Sequence, residues 1–180
     1  PDGYTIFMGT VGTHAINQAL YKKMPFDPIK DFTFLATVGR APFLFVAGPK
    51  LKVSSFAEFL ALAKAEPNNL TYGSSGVGSA NHLIGAMLTA KAGIKLRHVP
   101  YRGAAQSITD LMGGQIDTAV LSLPSVLGQL EGSGLRPLVI TSATRSPVAP
   151  AIPTAAESGV PGFDVSPWWG ILAPPRMEST

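Results

Sequence analysis

The 180-residue sequence predicts an α/β fold made of βαβ units around a mostly parallel sheet. Three observations lead there. Short apolar runs alternate with amphipathic stretches of helical length, and turns rich in glycine or proline separate most of them. Hydrophobic residues make up 46% of the chain, enough for a sizeable core, while charged residues make up only 14%. That charged share is well below the roughly 25% of an ordinary soluble domain. Right-handed crossovers put every strand-to-helix loop on one edge of such a sheet, and ligands bind outside the carboxyl ends of its strands. Function is therefore sought in the loops that follow strands.

Residues 4–8 read as a strand, ending in the small polar loop 9–14. A short helix at 15–21 and a loop at 25–30 with two prolines follow. Residues 32–38 and 42–47 are apolar strands, the second closed by Gly48 and Pro49. Ser55 and Glu58 have capping-box spacing. Phe56, Phe59, Leu60 and Ala63 then recur at helical spacing until Pro67 stops the helix. A strand at 70–72 runs into GSSGVGS at 73–79. The next helix carries Leu83, Met87 and Leu88 on one face and Gly93 at its C-terminal cap. Strand 96–99 turns through Pro100 to Gly103 into a helix with Ile108, Leu111 and Met112, which Gly113 and Gly114 end. There follow a strand at 117–121, a short helix at 124–130 and a strand at 138–141. A loop at 147–161 surrounds a short helix at 154–158, and 165–173 is the last strand. The tail from Pro174 carries no packing signal.

The formal net charge of +3 is spread along the chain, and its longest basic cluster is Lys22 and Lys23. A nucleic-acid arm needs about five or six like charges in a run. The mild excess suits anionic small molecules and specifies nothing more. Cysteine is absent, which excludes disulfides and thiolate metal sites and leaves the compartment open. No stretch approaches the roughly 18 apolar residues of a membrane span. The start lacks the charged-then-apolar pattern of a secretion signal. Pro1, Asp2 and Gly3 are turn residues, so the chain reads as a piece that begins inside a domain.

The most distinctive loop is 73–79. Its three glycines let backbone approach a ligand, Ser74 and Ser75 add hydroxyls, and Ser79 suits a helix N-cap. Free N–H groups and the helix macrodipole favour an anion there. An ordinary glycine-rich turn with a serine cap accounts for the same residues. After Gly76 and Gly78 the third glycine of a dinucleotide fingerprint is missing, and no Lys-Ser or Lys-Thr follows as in a P-loop. A nucleophile elbow fits Gly73 and Ser75, but Val77 stands where its last glycine belongs.

A second loop offers Thr10, Gly12, Thr13 and the His14 imidazole. A third opens a helix with the N–H groups of Gly103 and Ala104, beside an Arg102 that reads equally well as a solvated side chain. Asp117 begins a strand. Such an aspartate caps or turns, or beside a pocket selects an amino or hydroxyl group of a ligand. His14, His82 and His98 show no metal-type spacing and no acidic pair. His82 lies in the first turn after the glycine–serine loop, where pocket, surface and core roles compete. Trp168 and Trp169, adjacent on a strand, point to opposite faces and read as core before ligand platforms.

In their order these motifs resemble the Bug family, the solute receptors of tripartite tricarboxylate transporters. The matching segments are PDGYTIFMGTVGTHAINQALY at 1–21, MPFDPIKDF at 24–32 and LTYGSSGVGSANHLIGAML at 70–88. Further matches are HVPYRGAAQSITDLMGGQID at 98–117, PLVITSATRSP at 137–147 and IPTAAESGVPGFDVSPWWGILAPP at 152–175. Together they cover nearly the whole chain. The resemblance implies a type II periplasmic-binding-protein fold, with two α/β domains and a hinge. It assigns 1–47 to a partial first domain, 48–143 to the second, and 144–180 to a return to the first through a crossing strand. Family members carry a strand and glycine-rich loop ahead of the position of Pro1 and helices beyond that of Thr180, so the first domain is expected to be incomplete.

The ligand-binding residues that the resemblance implies are Thr10, Thr13 and His14 in the first domain. In the second they are Ser74, Ser75, Gly76, Gly78, Ser79, His82, Gly103, Ala104 and Asp117. The implied function is capture of a small carboxylate in the periplasm, between Thr13 and Ser75, for a membrane permease. No cofactor, metal, nucleic acid, membrane insertion or catalysis is expected. Helix N-termini rather than a buried cation neutralise the guest, which avoids the cost of desolvating a cation. The competing reading is a hydrolase or transferase with Ser75 as nucleophile and His82 or His14 as base. The broken elbow and the lack of an acid placed to orient the histidine stand against it. A nonfunctional truncated fragment is the third reading.

Overall fold

A computed structural model describes residues 5–175. In chain order the elements are β1 (Phe7–Thr10), a π-helical turn (Gly12–Ile16) continuing as α1 (Asn17–Leu20), β2 (Thr33–Arg40), β3 (Phe43–Ala47) and α2 (Phe56–Ala65). Then come β4 (Thr71–Ser74), α3 (Ala80–Ala92), β5 (Arg97–Pro100), α4 (Ala104–Met112) and β6 (Thr118–Ser122). The last are α5 (Leu123–Val126) with a 3-10 turn (Leu127–Gln129), β7 (Arg136–Ile140) and β8 (Trp168–Ala173). The chain forms two compact units, Pro1–Ala41 with Pro167–Thr180, and Pro42–Ser166.

In the first unit β8 lies between β1 and β2 in an antiparallel sheet. The strand predicted over 4–8 lies instead at Phe7–Thr10, and the loop predicted over 9–14 is largely helical, with helix geometry starting at Val11. Two threonines cause this. The Thr13 N–H donates to Thr10 Oγ1 at 3.3 Å, and the Thr10 N–H donates to Thr13 Oγ1 at 3.0 Å. That is the reciprocal logic of a capping box without its usual glutamate. Tyr4 of the predicted strand, the turn at Pro1–Gly3 and residues 176–180 of the tail lie outside the described residues. β2 is an edge strand with two register shifts, and its Phe34, Leu35 and Val38 are exposed.

The second unit holds a five-stranded sheet in the order β5-β4-β6-β3-β7. It is mixed rather than mostly parallel. β4 runs parallel to β5 and β6, but β3 runs antiparallel to β6 and β7. Parallel neighbours require crossovers, and α3 and α4 supply them for β4, β5 and β6. β3 has none to either of its neighbours, so its direction is unconstrained by that rule. Its place is set by its sequence, FLFVA, all five residues of which are buried. On one side Phe45 packs on Phe56 and Phe59 of α2, with ring centroids 6.2 and 5.1 Å away. Leu44 and Val46 join Ile108 and Leu111 of α4 in a second cluster. A strand covered on both faces reads as a continuous apolar run.

Local signals locate the helices. Ser55 Oγ accepts the Glu58 N–H at 3.2 Å, while the Glu58 carboxylate takes the N–H of Ser54 at 2.8 Å. Gly93 closes α3 with a φ of 65°. The buried face of α3 differs from the one the sequence predicts. Ile84, Gly85 and Leu88 face inward with Asn81, Leu83 is half-buried and Met87 is exposed. Gly85 explains the rotation, because a Cβ there would run into the Tyr72 ring and only glycine lets helix and strand approach so closely. The helix predicted at 154–158 is a turn, with Thr154 bridged to Ile140. Residues 42–47 and 144–166, which the sequence reading groups with the first domain, make their hydrogen bonds in the second unit. β3 lies between β6 and β7, and the Val165 N–H donates to Thr141 O at 2.8 Å.

Phe59 is fully buried between β3 and Phe56. Phe59→Ala is expected to lower the stability of the second unit by about 3–5 kcal/mol, read as a lower urea midpoint with an unchanged slope.

Candidate functional site

Three strand-to-helix connections of the second unit leave one edge of its sheet: β4 to α3, β5 to α4 and β6 to α5. The order β5-β4-β6 means that the chain leaves β4 on one side and then crosses to the other. Such a reversal opens a crevice at the carboxyl ends of the strands. Parallel register aligns Ser74 with Pro100, which brings the 75–79 and 101–103 loops together. The Tyr101 N–H donates to Ser74 O at 2.9 Å, and a Cβ on Gly76 would lie 3.3 Å from Tyr101 O.

The 75–79 loop is held by its own polar groups. Gly76 and Gly78 have φ values of 122° and 80°, conformations that favour glycine. Gly76 O accepts the Ser79 N–H at 3.2 Å and the Ser79 hydroxyl at 2.7 Å. The Gly76 N–H donates to Ser74 Oγ at 3.1 Å, and the Gly78 N–H to His82 Nδ1 at 3.2 Å. Ser79 is the N-cap of α3, accepting the His82 N–H at 3.2 Å. After these bonds the N–H groups of Val77, Ala80 and Asn81 have no acceptor among the described residues. α4 starts beside them at Gly103 with no side-chain cap, so the N–H groups of Gly103 and Ala104 are likewise without an acceptor among the described residues. Two helix N-termini thus present orphan donors and two positive dipole ends at one edge.

Two side chains outside the predicted set complete this edge. Asn81 is buried, accepts the Ser75 hydroxyl on Oδ1 at 2.6 Å and donates from Nδ2 to Val120 O at 2.6 Å, pinning the loop to β6. His98 on β5 faces Tyr72 in register, and its Nε2 lies 2.6 Å from Ser74 Oγ. Its ring stacks on Tyr72 at 4.9 Å and on His82 at 4.1 Å. Burial, and secondarily the neighbouring His82, hold His98 below the ordinary histidine value. The sequence signal for Asn81 is a polar residue two places after an N-cap. His98 carries no local signal, since its partners are set by strand register.

Asp117 does not belong to this edge. It precedes β6 at the amino end of the sheet, where Oδ2 accepts the Thr71 N–H at 2.8 Å and the Thr71 hydroxyl at 2.7 Å. Its own N–H returns to Thr71 Oγ1 at 2.8 Å. The pair clamps the starts of β4 and β6, about 10 Å of strand away from the glycine–serine loop.

In the first unit Thr10 and Thr13 sit at the head of the helical segment. The Thr13 hydroxyl lies 3.1 Å from Thr10 O, to which it donates, and 2.8 Å from His14 Nδ1. His14 is a buried member of an aromatic cluster, with Phe7, Phe32 and Phe34 rings 4.9–5.8 Å away. Burial lowers its pKa, and its Nε2 has no partner among the described residues. The described residues contain no group of three side chains that could hold a metal and no helix long and apolar enough to cross a membrane.

A family model described as the tripartite tricarboxylate transporter family receptor matches residues 1–180. The chain belongs to this receptor family. Among curated relatives, protein BugT of Bordetella pertussis is 33% identical over 174 residues, which are 96% of this chain and 53% of BugT. The chain thus spans about half the length of the curated relatives it matches. Among solved structures, Rpa4515 of R. palustris with adipate superposes with a TM-score of 0.93 at 37% identity, covering 99% of this chain and 60% of that one. MatC of Rhodopseudomonas palustris with bound malate gives 0.89 at 31% identity, and the periplasmic binding protein BugD gives 0.92 at 30%. Each covers 99% of this chain and 60% of the other. The α/β fold is therefore that of periplasmic binding proteins of the receptor family.

Two outcomes follow for this receptor chain. Asp117→Ala, which removes the acceptor of the Thr71 N–H and hydroxyl, should cost about 1–3 kcal/mol in urea unfolding while leaving the 75–79 loop intact in its amide spectrum. Burial lowers the pKa of His14, and burial with the neighbouring His82 that of His98, in the folded chain, whereas in the unfolded chain both take up protons at the ordinary histidine value. Stability is therefore full above that value. It declines as pH falls from there to the lowered folded values, and then stops declining on their account. Thermal melts between pH 8 and 5 read this, and a midpoint that rises on acidification would contradict it.

Proposed function

We propose that this chain is the ligand-binding part of a periplasmic receptor that captures a small carboxylate for the membrane permease of a tripartite transporter, and that it performs no reaction. The observation that carries the reading is the pair of helix N-termini with orphan N–H groups, α3 only partly capped by Ser79 and α4 with no side-chain cap, side by side at the carboxyl ends of β4 and β5. Orphan N–H groups of Val77, Ala80, Asn81, Gly103 and Ala104 supply donors for carboxylate oxygens. Each such bond to an ionised acceptor is stronger than a neutral one. The donors are already fixed, so little ordering remains for binding to provide.

Adipate and malate, found with two of the similar structures, are dicarboxylates, and this chain's ligand is proposed to share that class. The hydrolase reading finds little support. A serine nucleophile needs a base for its proton. The Ser75 hydroxyl is given instead to the amide oxygen of Asn81, which takes up no proton at neutral pH.

Calorimetry with mono-, di- and tricarboxylates, adipate and malate among them, tests the proposal. Saturable heat with at least one is expected. Ala80→Pro sharpens the test, because proline is well tolerated at the first helical position and Ser79 already has the extended conformation proline demands of its predecessor. The change deletes one proposed donor and spares the helix. Affinity should fall about 10- to 100-fold with little change in melting temperature. Silence across the panel, or full affinity in Ala80→Pro, would sink the reading.

A further inference from the structure

Five contacts around the glycine–serine loop form a closed circuit. The His82 N–H donates to Ser79 Oγ at 3.2 Å, and the Ser79 hydroxyl donates to Gly76 O at 2.7 Å. The Gly76 N–H donates to Ser74 Oγ at 3.1 Å, and Ser74 Oγ lies 2.6 Å from His98 Nε2. The His98 ring then stacks back on the His82 ring at 4.1 Å and an interplanar angle of 20°. A spur from the same circuit holds the loop tip, where the Gly78 N–H donates to His82 Nδ1 at 3.2 Å.

Counting donors points to where the protons sit. Ser74 has one hydroxyl hydrogen and two acceptors within reach, His98 Nε2 at 2.6 Å and Gly76 O at 3.2 Å. Gly76 O already receives the Ser79 N–H and the Ser79 hydroxyl, which occupy both lone pairs of a carbonyl. The shorter contact, 2.6 Å against 3.2 Å, and the crowded Gly76 carbonyl favour His98 as acceptor of the Ser74 hydrogen, an arrangement that places the lone pair on Nε2 and the proton on Nδ1. His82 Nδ1 likewise needs its lone pair for the Gly78 N–H. A proton gained by either imidazole removes an acceptor and places charge in the stack.

We infer that His98 is a positioning residue, which as the neutral Nδ1–H tautomer accepts the Ser74 hydroxyl and closes the ring that keeps the 75–79 loop in its anion-receiving shape. Its contacts are with Ser74 and His82, and it acts on the loop through them and Gly76. Its consequence for affinity rests on the carboxylate reading, while the ring itself does not. The titratable groups facing His98 among the described residues are Tyr72 from β4 and His82 from α3. Arg97 on its own strand is exposed, and as the neighbouring residue it points to the other face. Acid should therefore open the ring, and burial together with the His82 neighbour delays this to a pH below the ordinary histidine range.

The test uses the chain labelled with nitrogen-15 and three variants. Imidazole nitrogen shifts near pH 8 should show His98 protonated on Nδ1 and His82 on Nε2. A His98 protonated on Nε2 would overturn the inference, and this measurement needs no variant to fold. Amide exchange at Gly76 and Gly78 should quicken about tenfold or more in His98→Ala and in His98→Phe, which keeps the stacking surface but has no acceptor. His98→Gln, whose amide oxygen can take the Ser74 hydroxyl, should restore protection. Wild-type exchange in His98→Phe would show that stacking alone holds the loop, and the inference fails.

Adipate and malate titrations separate this idea from the reading beneath it. Affinity should drop about tenfold in His98→Phe and recover in His98→Gln. A wild type that binds while His98→Phe binds equally well refutes the positioning role and leaves the carboxylate reading standing. A wild type that takes up neither acid counts against that reading, and the tautomer and exchange results still decide the role of His98.

Discussion

Every α-helix begins with N–H groups that its own turns do not satisfy, and in this receptor chain two helices begin side by side with too few acceptors between them. α3 spends some of its donors on Ser79 and Gly76, and α4 has no capping side chain at all. Both helices follow parallel neighbours, β4 and β5, so the parallel register of Ser74 with Pro100 is what makes the deficit local rather than scattered. A fold left with orphan donors at an accessible edge has a strong preference for an anion there. The rest of the second unit serves to keep that edge in shape. β3 is buried on both faces beneath it, and Asn81 ties the loop to β6.

The two ends of β4 differ in how far their polar groups satisfy one another. At the amino end, Thr71 and Asp117 satisfy one another through three hydrogen bonds, which fixes β6 beside β4. At the carboxyl end, Ser74 sits at the meeting point of Gly76 and His98, and the polar groups beyond it are left in deficit rather than in balance. Asp117 has the chemistry of a ligand selector and the position of a strand clamp. Distance along the strand decides between the two.

Much of the fold was legible because its signals are local. Ser55 with Glu58 marks the start of α2, Gly93 the end of α3, and Gly76 and Gly78 the turn between β4 and α3; each acts through bonds within a few residues. The start of helix at Val11 was not legible, because a Thr10–Thr13 pair performs a task usually signalled by a glutamate. The inward face of α3 depends on Gly85 meeting Tyr72, a contact between elements. The direction of β3 was hidden for the same reason, since nothing within FLFVA states which strands flank it. In the site, the glycine–serine loop and the Gly103–Ala104 helix start stood out by composition. Asn81 and His98 did not, because an inward polar side chain is distinguished only once β6 and β4 are known to lie against it. His14 presents the opposite case. It sits in a loop-like motif, yet its ring packs among Phe7, Phe32 and Phe34.

The proposed grip of backbone amides has a physical consequence for selectivity. A buried lysine or arginine would attract any anion strongly, at the cost of desolvating its own charge when the site is empty. Fixed N–H groups carry only partial charges, so each adds little unless an oxygen sits at the right distance and angle. Selectivity then depends on geometry, and geometry depends on how rigidly the loop is held. That is why the contacts around Ser74, Gly76, Ser79, His82 and His98 matter more than any single donor. Their energies are individually small, but together they remove the conformational freedom that a flexible glycine-rich loop would otherwise lose on meeting its ligand. Glycines that, on the proposed reading, let the backbone approach a carboxylate also leave that backbone free to move away, and the serine–histidine circuit is proposed to anchor the loop while the N–H groups of Val77, Ala80 and Asn81 keep no acceptor among the described residues.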